Sequence, residues 1–394
     1  MIKIELEKTE LENVEPEKNH VKSSNWKRTN VKRTNLKTMN MRKQNTQPGF
    51  SLLELMIAMS VGLTVLAAAT SLFRTGMNAT FVVSQRAETQ QNMRAASDMM
   101  NKDLSLAGAG ITGGIQLPIG GGAGASKFAC DQTGTCYVTA DTYPNTNYLY
   151  GIVPGYLHGV QGGATVPSAP APAVNDSITV VYCDYNFPLF EYNVTAINAT
   201  GTQITVAANP VYTPAPVAIN SPGGIQVGDL VYLNNSLGSA VGEVTGLTAT
   251  TIAFANLDSL NINQSGATTN NIKAIAGGAN TSIYRLFAVT YYLTVPVGGQ
   301  LPRLMRQVNG LSPVPVADNI INLQFSYDVY NAATNALDSN EANPLGAGES
   351  PNLIQKVNIV VMGQSLTAGG KQNQSMYLAT SVSARDMAFR NRYQ

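Results

Sequence analysis

The sequence predicts an α+β protein: a long N-terminal helix packed on an antiparallel β-sheet head, with a small β subdomain inserted into the head. Three features predict it. From Phe50 to Phe73 the chain is apolar and carries one charge, Glu54. An amphipathic stretch follows, and no proline falls between Pro48 and Pro118 to break a helix. Beyond it, short β-branched and aromatic runs alternate with Gly, Asn and Pro, the signature of strands and turns.

The first segment, residues 1–49, reads as a basic leader. It holds 11 Lys and Arg against 6 Asp and Glu, out of chain totals of 25 and 24. The near-neutral total therefore hides a leader of about +5 and a remainder of about −4. Lys27-Arg28-Thr29-Asn30 and Lys32-Arg33-Thr34-Asn35 form a small polar repeat without apolar periodicity, a composition that favours disorder. Met39 and Met41 are candidate starts, with residues 1–38 a dispensable extension. A basic tail that is cut away from the head is a poor nucleic-acid binder, so no nucleic-acid partner is expected.

Residues 50–108 read as one helix. Its first 24 residues, 50–73, would rise about 36 Å and cross a bilayer core. Basic residues before the span place the leader in the cytoplasm and the head outside, in the periplasm. A carboxylate in hydrocarbon costs on the order of 3 kcal/mol, so Glu54 is expected to be functional and to meet its partner on another chain. Met93, Ala96, Met100, Leu104 and Ala107 recur at spacings of three and four. Arg86, Glu88, Gln91, Arg94 and Lys102 lie off that stripe, which is expected to pack on the head; Gly108, Gly110, Gly113 and Gly114 end the helix.

The head spans residues 109–394. Ile111 to Ala173, rich in Gly, Pro, Ser and Thr, reads as a long surface loop; its glycine run lacks the Lys-Ser/Thr of a phosphate loop. Asp176–Cys183 and Thr202–Val206 read as half-buried strands. Gly228–Leu233, Gly242–Leu247 and Thr251–Phe254 form the insert, at about 200–275. Ile283–Val295, Leu301–Val308, Ile320–Tyr330, Ile354–Met362 and Met376–Phe389 are expected to make the main antiparallel sheet.

An oxidising compartment makes Cys130, Cys136 and Cys183 disulfide candidates, with one thiol left over. Local closure of Cys130 with Cys136 is the simplest pairing, and pairing of either with Cys183 stays open. Metal ligands are scarce: His158 is the one histidine after the leader and there is no CxxC. Asp338, Asn340 and Glu349 follow a calcium loop only loosely, since Ala342 and Asn343 stand where an oxygen ligand and a turn glycine belong, so a solvated loop between strands is preferred. There is no GxSxG, HExxH or Walker-type loop, and no cofactor or enzyme activity is expected.

Gly49-Phe50-Ser51-Leu52-Leu53-Glu54-Leu55-Met56-Ile57, behind a basic and acid-free stretch, resembles the class III signal of type IV prepilins. The resemblance implies cleavage between Gly49 and Phe50 by a prepilin peptidase, N-methylation of Phe50, and an assembly role for Glu54 in meeting a neighbour's N-terminal amine. It implies the type IV pilin fold and partners among minor and major pilins, an inner-membrane assembly platform and membrane lipid. The protein would sit in the inner membrane by a single pass, head periplasmic, then in a pilus at the cell surface. Val316–Tyr327 and Ala379–Asp386 resemble the late strands of PilW-type minor pilins, which implies a priming or capping role in pili serving adhesion and twitching motility. A type II secretion pseudopilin shares the signal and helix. A signal-anchored surface adhesin or enzyme is the reading from another class.

Overall fold

A computed structural model describes residues 49–111, 116–118, 128–130, 136–138, 148–157, 175–256, 258–263, 272–296, 301–365 and 374–387. The leader and His158 lie outside them. The chain divides into two compact units, residues 1–69 and 70–394, and the helix α1 (Leu52–Ser105, 54 residues) contributes to both. Every described residue of the first unit is exposed.

In the second unit α1 ends two residues before Ala107, where a run of turns begins. Gly108 and Gly110 there adopt φ of 77° and 75°, a conformation that costs glycine little. The strands that follow are β1 (Gln116–Pro118), β2 (Phe128–Cys130), β3 (Cys136–Val138), β4 (Tyr148–Tyr150), β5 (Ile152–Gly155) and β6 (Ser177–Asp184). Next come β7 (Tyr192–Ile197), β8 (Gln203–Ala208), β9 (Leu230–Asn235), β10 (Gly238–Glu243), β11 (Gly246–Leu247) and β12 (Thr251–Ala253). The last are β13 (Ser282–Thr294), β14 (Arg303–Val308), β15 (Val314–Asp318), β16 (Ile320–Asn331), β17 (Ala336–Glu341), β18 (Ile354–Gln364) and β19 (Ser375–Ser383).

Every assigned pairing is antiparallel. β13 is the tie of the head: β6 runs along one edge through Arg285–Tyr291, while β9 and β14 follow one another along the other, through Ser282–Leu286 and Val289–Thr294. With β5, β10 and β15 these strands form a seven-stranded sheet. β17, β16, β18 and β19 form a four-stranded sheet, as do β11, β12, β8 and β7.

The late strands thus divide between two sheets instead of forming one. β13 and β14 belong to the larger sheet; β16, β18 and β19 belong to the other. The insert is likewise shared, because the β9–β10 hairpin bonds to β13 while β7, β8, β11 and β12 make their own sheet. The segment read as a surface loop contributes β1 to β5, of which β5 pairs with β6 inside the larger sheet. β19 stops at Ser383 and a helical turn, 385–387, follows.

The larger sheet is covered on both faces. Ile178, Val180 and Tyr182 of β6, with Val289, Tyr291 and Leu293 of β13, enter one core; Val181 and Cys183, with Ala288 and Tyr292, enter a second. All eight residues of β6 are buried, Ser177, Thr179 and Asp184 included, because both faces of the strand are covered. The first core takes Met93, Ala96, Met100, Leu104 and Ala107 of the helix together with Leu323, Phe325, Ile359 and Val361 of the four-stranded β16–β18 sheet. The stripe therefore packs on the head, as its spacing predicts. A third core fills the insert, around Tyr192, Ile204, Val231, Leu233, Ile252 and Phe254.

Candidate functional site

The N-terminal end of α1 is built by Ser51. Its hydroxyl accepts the Glu54 amide hydrogen bond at 3.2 Å, and the Glu54 carboxylate accepts the Ser51 amide at 3.1 Å. This reciprocal pair is a capping box, satisfying two of the amides that a helix start leaves without partners. Its Ser-x-x-Glu spacing is legible in the sequence and passes unremarked beside the membrane argument. Gly49 and Phe50 lie just outside the helix, both exposed, Phe50 at 86%. The bond between them is therefore non-helical and open to a protease.

From Leu52 to Phe73 the helix presents an apolar surface that no described residue buries: Leu53, Leu55, Met56, Ile57, Leu63 and Leu66 are all more than half exposed. It is long and apolar enough to cross a membrane. Glu54 is the acid of its first turn, where a negative charge also suits the helix dipole. A carboxylate at this point can thus cap its own helix and still offer lone pairs to a cation from elsewhere.

A family model for the prokaryotic N-terminal methylation motif matches residues 44–70. No curated protein and no solved structure matches the chain. The matched segment covers Gly49, Phe50, Ser51 and Glu54, the residues that form the exposed junction and the capped helix start. The chain carries the processing signal of the type IV pilin and pseudopilin class on a membrane-anchoring helix, with its head outside the membrane. That signal implies recognition by a prepilin peptidase and contact with pilin subunits.

The other candidates fall elsewhere. Cys130 and Cys136 stand directly opposite each other in the β2–β3 register. Cys183 is buried on β6, 3% exposed. Asp338 and Asn340 are on strand β17 and not in a loop; Asp338 accepts from Asn331 Nδ2 at 2.7 Å and Asn340 Oδ1 from Asn358 Nδ2 at 3.1 Å. Glu349 accepts the Gly346 amide at 2.9 Å. Each calcium candidate already serves a neighbour, and among the described residues no group of three His, Cys, Asp or Glu could hold a metal.

Two buried acidic centres have no sequence signature. Asp103, one residue off the helix stripe, accepts from Tyr291 OH at 2.6 Å, Tyr182 OH at 3.1 Å and Arg306 Nε at 2.8 Å. Burial and the neighbouring Asp103 charge push both tyrosines up in pKa, so they remain donors. The centre ties α1 to β6, β13 and β14. Glu243 of β10 accepts Ser259 Oγ at 2.6 Å and the Leu260 amide at 2.9 Å, and is hydrogen-bonded to Asp258. Burial, with Asp258 alongside, raises Glu243 to about 7. Asp258 in turn accepts the Ile262 and Asn263 amides at 2.7 and 2.9 Å. The two carboxyls are thus joined into the wall of the head.

Proposed function

We propose that this chain is a minor pilin of a type IV pilus, of the PilW type, acting as an assembly subunit that primes or caps the fibre. One observation carries the reading: the methylation motif at 44–70 sits on an exposed junction followed by a capped helix whose first turn bears Glu54, the one charge of its apolar part up to Phe73. The prepilin waits in the inner membrane with its head in the periplasm, and a prepilin peptidase cuts between Gly49 and Phe50. The new amine of Phe50 and the carboxylate of Glu54 are then opposite charges buried among helices or lipid tails, and each is stabilised when subunits bring them together. The role is structural and not enzymatic. The antiparallel head supports it as a scaffold for neighbouring subunits.

The deciding experiment compares the N-terminal residue of the membrane-associated protein in cells with and without the prepilin peptidase, by mass spectrometry. N-methylated Phe50 that appears only with the peptidase is the expected result. An intact Gly49–Phe50 bond in both strains would remove the pilin reading and leave a signal-anchored surface protein. If processing is found, loss of pili on deletion, with secretion intact, separates the pilus subunit from a type II secretion pseudopilin.

A further inference from the structure

Between Lys127 and Lys273 the sequence contains no lysine or arginine. The acids within the insert do not make up for this at the surface. Asp229, Glu243 and Asp258 are buried, and Glu191 is half-buried. Among the described residues from 185 to 263 no charged side chain is exposed; Asn, Thr, Ala, Pro and Val make up most of the exposed residues there. Arg285 is 11% exposed and held by Asp184, by Asp229 at 3.8 Å and by the Gly224 carbonyl at 2.8 Å. Its charge is spent inside.

Within this segment and against Tyr284 lies a cluster of aromatic rings centred on Phe190. Phe190, in the turn Leu189–Glu191, stands 6.4 Å from each of Tyr185, Tyr212 and Tyr284, centroid to centroid. Tyr185 is 58% and Phe190 36% exposed, while Tyr212 and Tyr284 are half-buried. Tyr284 is in turn backed by buried Tyr232 at 6.1 Å, which fixes the cluster to the sheet. Exposed Asn186 adjoins Tyr185, and Asn193 lies three residues beyond Phe190. Exposed charges border the segment, with Asp386 near Tyr185 and Lys273 against Gly201.

Aromatic rings beside amide and hydroxyl groups, with charge only at the border, match one ligand chemistry well. The C–H face of a pyranose ring is apolar and stacks on an aromatic ring, while its hydroxyls pair with amides. A protein partner with the usual charged rim would find few charges here to pair with. We propose that the aromatic cluster of Tyr185, Phe190, Tyr212 and Tyr284 binds a neutral polysaccharide. The proposal does not depend on the pilin assignment.

The test uses the full chain in detergent with dextran, amylose, cellohexaose and chitohexaose as neutral probes and hyaluronate as the anionic one. Binding to at least one neutral probe is expected, changing less than about twofold between about 50 and 500 mM NaCl because the ligand carries no charge to screen. Tyr185→Ala and Phe190→Ala should each weaken it about tenfold with an unchanged denaturation midpoint, and Phe190→Tyr should restore most of it. Binding to none of the neutral probes overturns the proposal, as does binding lost in salt or indifferent to both alanine variants. Light scattering that shows the alanine variants dissociating a dimer, with no neutral probe bound, would assign the cluster to a second copy and also overturn it.

Discussion

At Glu54 two roles share one side chain, and they can be separated. As a capping-box acid Glu54 contributes about 1 kcal/mol to the helix start, and glutamine can do the same work through its carbonyl oxygen. As the counter-charge to a neighbour's amine it cannot be replaced by glutamine. Glu54→Gln is therefore predicted to keep the protein in the membrane and processed but to abolish its incorporation into fibres, as Glu54→Ala does; immunoblots of sheared pili and membranes measure both. Incorporation of the Gln variant at the normal level would reduce Glu54 to a cap. Glu243 makes a pH prediction. Its folded pKa of about 7 lies above the ordinary 4.5. Below about pH 4.5 both folded and unfolded states hold the proton, and between 4.5 and 7 the unfolded chain releases it while the folded one keeps it. Stability therefore falls as pH rises through that window, by on the order of 3 kcal/mol, and levels off above it. Glu243→Gln, which imitates the protonated acid, should flatten the decline, as read from urea midpoints at pH 5 and pH 8.

The helix and the β16–β18 sheet meet closely enough that one glycine governs the contact. A Cβ on Gly363 of β18 would lie 2.7 Å from Thr89 Cγ2 and 3.0 Å from Met93 Sδ. Thr89 is β-branched and has little freedom to yield on a helix. Gly363→Val is predicted to destabilise the head by about 2 kcal/mol, with Gly363→Ala milder, in chemical denaturation of the full chain. The Asp103 centre holds the same helix on its other contacts. Asp103→Ala strands Arg306, 27% exposed at its side chain, and removes the acceptor of two buried hydroxyls, for a loss of about 3–5 kcal/mol. The stripe itself was legible because burial on one side of a helix leaves a period. Asp103 was not, because a buried charge is recognisable only by the distant Tyr182, Tyr291 and Arg306 that surround it. β6 misled in the other direction: its Ser-Ile-Thr-Val-Val-Tyr-Cys-Asp run reads as half-buried, yet cores on both faces bury every residue.

Across the head, the position of β13 decides how many folding units residues 70–394 contain. Sequence spacing marks each strand locally, but pairing between β9 and β13 joins segments some fifty residues apart, and nothing within either strand announces it. That is why the insert read as a separate subdomain. In the structure Val231 and Leu233 of β9 point into the insert's core while Leu230 and Tyr232 point into the second core of the head, so one strand serves both. Separating the insert would strip β9 from β13 and expose both sets of side chains at once. The head should consequently unfold in one cooperative step. Phe254→Ala, in the insert's core, and Leu323→Ala, in the helix–sheet core, each remove a buried side chain worth about 2–5 kcal/mol. Calorimetry should show both variants lowering the same single transition. An autonomous insert predicts instead that Phe254→Ala splits off an early transition and leaves the main one in place.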